Sequence, residues 1–145
     1  MEAVKKLFGG YLIGVAMVVA VWFIINSFFA DSFNTLNVWY TLDVLMVIGL
    51  AIALIFNYAR KREEERGREP VEAVSRRHLE VNTAFYLTAG ITILFLHNWF
   101  SLLANGSDSL EGNHQAWVIW AVVDTLLPLV LGVTGCAMWR DAAGE

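Results

Sequence analysis

Apolar and polar positions in this chain segregate into long blocks instead of alternating residue by residue. Apolar runs cover residues 7–30, 36–59, 81–104 and 116–139, each 24 residues long. A helix rising about 1.5 Å per residue needs about 20 residues to cross a hydrocarbon layer of about 30 Å, so every run is long enough to span. Backbone groups in lipid must be satisfied within the segment, which makes helices the default, and no period-two pattern competes. The pattern predicts an all-α integral membrane fold. Four transmembrane helices pair into two hairpins and form one bundle, a single membrane domain over residues 1–145. Helix boundaries are expected near 7–30, 36–59, 71–104 (including a short cytoplasmic extension) and 116–139.

Composition agrees. The 145 residues are 57% hydrophobic and 17% charged, with a mean hydropathy of +0.54, whereas a soluble domain is about half apolar and about a quarter charged. Lys5 and Lys6 resemble the charged start of a signal peptide. The apolar run behind them is much longer than the usual stretch of about 7–15 residues, and "NSFFADS" lacks a small-x-small cleavage site, so the run reads as a retained helix.

Charge adds orientation. The basic residues are Lys5, Lys6, Arg60, Lys61, Arg62, Arg66, Arg68, Arg76, Arg77 and Arg140. All lie before the first run, between the second and third, or after the fourth. The other two connections carry only Asp31, Asp108 and Glu111. By the positive-inside rule both termini and the loop at 60–78 are cytoplasmic, and the expected location is a bacterial cytoplasmic membrane. The mixed-sign stretch "RKREEERGREP" reads as a solvated helical extension laced with Glu–Arg pairs, and Pro70 as a first-turn proline of a short cytoplasmic helix. The net charge of −4 discriminates little among partners, since the two ends differ so much. Cys136 is the single cysteine, so no intrachain disulfide forms, and "NGS" at 105–107 reads as a turn.

The two halves share a polar layout. "WYTLD" at 39–43 and "WAVVD" at 120–124 each place an aspartate four residues after a tryptophan. Asp43 precedes Arg60 by 17 residues and Asp124 precedes Arg140 by 16, while Asn26 aligns with Asn98. A parallel internal repeat accounts for this, as does coincidence over a few positions. The second outer connection is longer, with "GSDSLEGNH" inserted. Gly10 and Gly14 form a GxxxG pair suited to close helix packing. Trp39, Tyr40, Trp99, Trp117, Tyr58 and Trp139 fall near the interfaces, where belt anchoring explains them.

Depth singles out candidate functional residues. Along the helices Asp43 lies roughly 10 Å below the outer boundary, Asp124 about 12 Å, His97 and Asn98 about 10 Å and Asn26 about 6 Å. Together they form an intramembrane polar layer that Thr41 and Thr125 can join. A carboxylate at such depth costs on the order of 2–3 kcal/mol on the insertion scale, and no Lys or Arg lies within any run to offset it. Protonation, a hydrogen-bonded network with His97, Asn26 and Asn98, or a bound cation are the remaining solutions. Asp43, His97 and Asp124 are conceivable ligands for a divalent metal, although their spacing matches no signature. Pro128 strips the Asp124 carbonyl of its helical donor, and as a packing feature it reads as a kink.

No HExxH, GxSxG, CxxC or phosphate loop is present, which points away from catalysis and from nucleotide or nucleic-acid partners. The leading expectation is a non-catalytic accessory subunit of a larger membrane complex, with the lipid bilayer, other membrane subunits or further copies of itself as partners and no resident cofactor. A proton- or cation-coupled transporter or channel, oligomeric and using Asp43 and Asp124, is the alternative. A membrane metal-binding protein is weaker. Acids facing the bundle interior favour transport or metal, and acids facing outward favour a partner protein.

Overall fold

The computed structural model describes residues 2–29, 34–67 and 75–144. It is all-helical, with four long helices apolar enough to cross a membrane. Helix α1 spans Glu2–Ile25 and continues as a 3-10 turn, Asn26–Phe29; α2 spans Thr35–Arg66; α3 spans Arg76–Asn105 and is followed by the 3-10 turn Gly106–Ser109; α4 spans His114–Ala143. Asn34, Ser75 and Asn113 cap α2, α3 and α4, each side chain accepting from a backbone N–H of the first turn at 3.0–3.1 Å. Pro70 and the stretch 71–74 lie outside the described residues, and α3 begins at Arg76 behind its Ser75 cap.

The helices run antiparallel in sequence, with the termini and the α2–α3 junction at one end (the terminal end) and the turns after α1 and α3 at the other (the distal end). Buried positions explain the packing. They recur at three- and four-residue steps: Leu12, Val15, Ala16 and Val19 on α1, then Leu42, Asp43, Met46, Leu50, Ala53 and Asn57 on α2. On α3 they are Val81, Thr88, Ile91, Phe95, Asn98 and Leu102. Such a repeat keeps one stripe facing a common axis. Leu12, Val19, Met46, Leu50, Phe95, Val123, Leu127 and Leu131 fill that core. The opposite faces carry exposed apolar side chains, among them Leu7, Ile24, Ile55, Ile93 and Val133. A surface of that kind is matched to hydrocarbon and not to water.

The closest crossing joins α1 to α4 at two glycines. A methyl on Gly9 would sit 2.9 Å from the Gly135 carbonyl oxygen, and one on Gly135 would sit 2.8 Å from the Gly9 oxygen. Farther along, a methyl on Gly132 would sit 3.8 Å from the Ala16 methyl. Within the chain, this crossing does not run through the expected Gly10–Gly14 pair. A methyl on Gly14 would meet nothing within 4 Å, and one on Gly10 would meet only the Trp139 ring, at 3.5 Å. Gly9 is one helical step from Gly10, about 100° round the axis, and it is the residue aimed at the partner helix.

The terminal end is tied by polar contacts. Asn57 Nδ2 donates to Thr88 Oγ1 at 2.9 Å and to Thr134 Oγ1 at 3.0 Å, joining α2, α3 and α4 in a fully buried triad. Beyond it α2 continues past the apolar stretch, where Lys61 pairs with Glu65 and Arg77 meets Glu64 at 3.2 Å.

The crossing predicts opposite outcomes for two matched substitutions. Gly135→Ala should destabilise the purified protein by about 1–3 kcal/mol, because backbone stands in the way of the methyl. Gly14→Ala should be neutral or stabilising by up to about 1 kcal/mol through helix propensity. Thermal or denaturant unfolding in mild detergent reads both.

Candidate functional site: an acidic vestibule

Asp43 and Asp124 both point into the bundle. They are 1% and 6% exposed, and both border one cavity of about 450 Å³. The W-x-x-x-D spacing is the local cause. Residues four apart share a helix face, so an inward aspartate carries its tryptophan one turn nearer the distal end. Trp39 and Trp120 accordingly line the same cavity above their aspartates. Both rings are braced: Phe23 meets Trp39 edge-on at 6.5 Å, and Phe95 meets Trp120 edge-on at 5.9 Å.

The rim comes from the distal turns. Thr35 and Leu36 open α2, Leu102 closes α3, and Ser107, Leu110, Glu111 and Gly112 belong to the inserted segment. Trp117 also borders the cavity and donates from Nε1 to the Leu110 carbonyl at 3.0 Å, fastening that segment to α4. The cavity is therefore a vestibule that opens among the distal turns, with the carboxylates beneath its aromatic walls. Below it Met46, Leu50, Ile91, Phe95, Leu127 and Leu131 form an apolar plug down to the Asn57 triad.

The carboxylates lack partners. Among the described residues, neither oxygen of Asp43 and not Oδ1 of Asp124 has a hydrogen bond, although all three atoms are buried. Pro128, buried in α4 four residues after Asp124, also leaves the Asp124 carbonyl without its helical N–H donor. This is an electron-rich floor, and no cationic side chain borders the cavity among the described residues.

The other expected members of the polar layer divide. Asn26 lines the vestibule; its Nδ2 donates to the Trp22 and Phe23 carbonyls at 3.2 and 2.7 Å, which leaves its amide oxygen as the polar atom it can offer. Asn98 is buried in the α3 stripe and donates to the Leu94 carbonyl at 3.1 Å, and it does not line the cavity. His97, one residue from Asn98, is turned out of the stripe by about 100° and is exposed. Thr41 and Thr125 are likewise exposed and bond back to the Asn37 and Ala121 carbonyls. The structure thus does not bring His97 to the aspartates, and no group of three His, Cys, Asp or Glu suited to a metal occurs among the described residues. The Asp43–His97–Asp124 ligand set is corrected accordingly.

Trp39 and Trp117, expected as interface anchors, also border the cavity. Phe23, Trp120 and the Asn57–Thr88–Thr134 triad had no assigned role in the sequence. The W-x-x-x-D repetition was the signal for the walls. For the triad the signal was spacing, since Asn57 follows Asp43 by fourteen residues, two heptads along one seam. The chain matches no protein-family model, no curated protein and no solved structure.

Two buried polar residues on α2 should respond with opposite signs. Asp43→Leu, which replaces an unpartnered carboxylate beside open space, should stabilise the ligand-free protein by about 2 kcal/mol. Asn57→Leu, which removes two interhelical bonds of about 0.6 kcal/mol each, should destabilise it by about 1 kcal/mol. Unfolding in mild detergent at neutral pH compares them directly.

Proposed function

We propose that this protein is a cation-binding membrane protein of the transport class, with the Asp43–Asp124 vestibule as its binding site and protons or cations as the coupled species. The carrying observation is the pair of buried, unpartnered carboxylates at the floor of an open cavity. An intramembrane acid that faces the bundle interior instead of lipid or a neighbouring protein is costly, and such groups mark ion and proton pathways. Acids turned outward would have favoured the accessory-subunit expectation, and the inward direction of both favours the transport reading instead.

In this reading the distal end faces outward and the terminal end faces the cytoplasm. The described basic residues outside the apolar runs (Lys5, Lys6, Arg60, Lys61, Arg62, Arg66, Arg76, Arg77 and Arg140) all belong to the terminal end, while Asp108 and Glu111 mark the distal turns. The vestibule is then loaded from outside, and the apolar plug with the Asn57 triad is the closed inner barrier. Four helices enclose a short path, so function in an oligomer is part of the proposal. His97 supports a contact with another protein, whether a second copy or a different subunit. It is an exposed imidazole on a face with Ile93, Phe100 and Leu103, where lipid would not satisfy its ring nitrogens.

Two experiments test the reading. A cysteine at Ala121, a cavity-lining position, placed in a Cys136→Ser background, should react with a membrane-impermeant cationic thiol reagent added outside and not inside. Proteoliposomes loaded with a pH-sensitive dye should show proton movement when a gradient of a bound cation is imposed, reduced at least about tenfold by Asp43→Asn or Asp124→Asn. Stoichiometric purification with a larger membrane complex, together with inert proteoliposomes, would reinstate the accessory role.

A further inference from the structure

We infer that the vestibule is built for an organic ammonium ion, a protonated primary amine attached to a compact apolar body, rather than for a bare metal ion. The inference rests on the cation-site reading above and names its ligand. Volume is the first argument. About 450 Å³ falls in the range of small-molecule sites, about 300–1,000 Å³, and is far more than a desolvated metal ion fills.

The donor set is the second argument. Hard cations take six or more oxygens, and zinc takes four ligands of the His, Cys and carboxylate kind. The lining offers two carboxylates at the floor and the Asn26 oxygen nearer the distal turns; Glu111 borders the cavity from the rim, and no three acidic, His or Cys side chains gather closely enough to hold a metal among the described residues. That is a poor coordination shell but a good acceptor set for an amine. Three buried oxygens, two on Asp43 and one on Asp124, lack donors, and a primary ammonium carries three N–H groups. Charge-assisted hydrogen bonds of that kind are about twice as strong as neutral ones.

The walls are the third argument. Trp39, Trp117 and Trp120 border the cavity above the acids with Phe23 beside them, and indole is the best aromatic partner for a cation. Braced rings over a carboxylate floor solvate an ammonium head and its apolar body in one place. A metal ion would leave those walls unused.

The test uses the full chain in lipid nanodiscs, with intrinsic tryptophan fluorescence and thermal stabilisation as readouts. Cyclohexylammonium is titrated against cyclohexanol, trimethylcyclohexylammonium, Na⁺, K⁺, Ca²⁺ and Zn²⁺. Cyclohexylammonium should bind saturably, cyclohexanol should not, and the trimethyl compound should bind at least about fivefold more weakly because it has no N–H. Asp43→Asn or Asp124→Asn should weaken the amine at least about tenfold, and Trp120→Leu about fivefold. The first comparisons need only the wild-type protein, so they survive a variant that fails to fold. An aspartate-dependent response to an inorganic ion with none to the amine would overturn the inference and leave the cation site standing. Equal binding of amine and alcohol, or of the primary and trimethyl amines, would also overturn it. No saturable cation response of any kind would sink both.

Discussion

Two carboxylates buried in a bundle whose apolar runs contain no lysine and no arginine are the constraint on which this structure turns. Each acid carries a desolvation cost on the order of 2–3 kcal/mol on the insertion scale at its depth, and the usual remedy, a basic side chain within a facing apolar run, is absent. The fold neither turns Asp43 and Asp124 out toward the distal surface nor satisfies them with the nearby carboxamides. Asn26 and Asn98 spend their N–H groups on their own backbones. What the fold supplies instead is space: a vestibule reaching from the distal turns to the acids. The stability forgone at the floor is what the proposed cation site would recover on binding.

The rest of the bundle offsets that cost and seals what lies beneath. Gly9 and Gly135 let α1 and α4 approach to backbone contact, where dispersion between close helices substitutes for the hydrophobic drive that lipid does not provide. The plug between the vestibule and the terminal end is wholly apolar through Met46, Leu50, Phe95, Leu127 and Leu131. The polar layer below it is closed, with Asn57 donating to both threonines and Thr88 donating onward to the Ala84 carbonyl at 2.6 Å. The two polar levels on α2 are chemically opposite. One is satisfied and fixes the packing of three helices; the other is unsatisfied and open.

Much of the architecture is legible from the sequence, because four 24-residue apolar runs permit few alternatives. The placement of the acids is partly legible. Matched W-x-x-x-D units say that each tryptophan shares a face with its aspartate, but not which way that face turns. Helix α2 is apolar on nearly every side, so neither lipid nor core is singled out by hydrophobicity. Direction is fixed by packing, and packing here depends on small residues. The same limit explains Gly10 and Gly14. A GxxxG spacing identifies a smooth helix surface, whereas the crossing is set by Gly9 because its carbonyl meets Gly135. His97 and Asn98 share a depth but not a face, a distinction that depth alone cannot make. The Asn57 triad was hidden for another reason, since single Asn and Thr residues near a helix end also suit an interface.

The central claim is that Asp43 and Asp124 themselves receive a cation through the vestibule. Difference infrared spectroscopy on the reconstituted protein reads it most directly, by recording carboxyl and carboxylate bands before and after a saturating cation. The account predicts bands that change on loading, with one component lost in Asp43→Asn and another in Asp124→Asn. A saturated site with no change in carboxyl bands, or with changes untouched by either substitution, would contradict it.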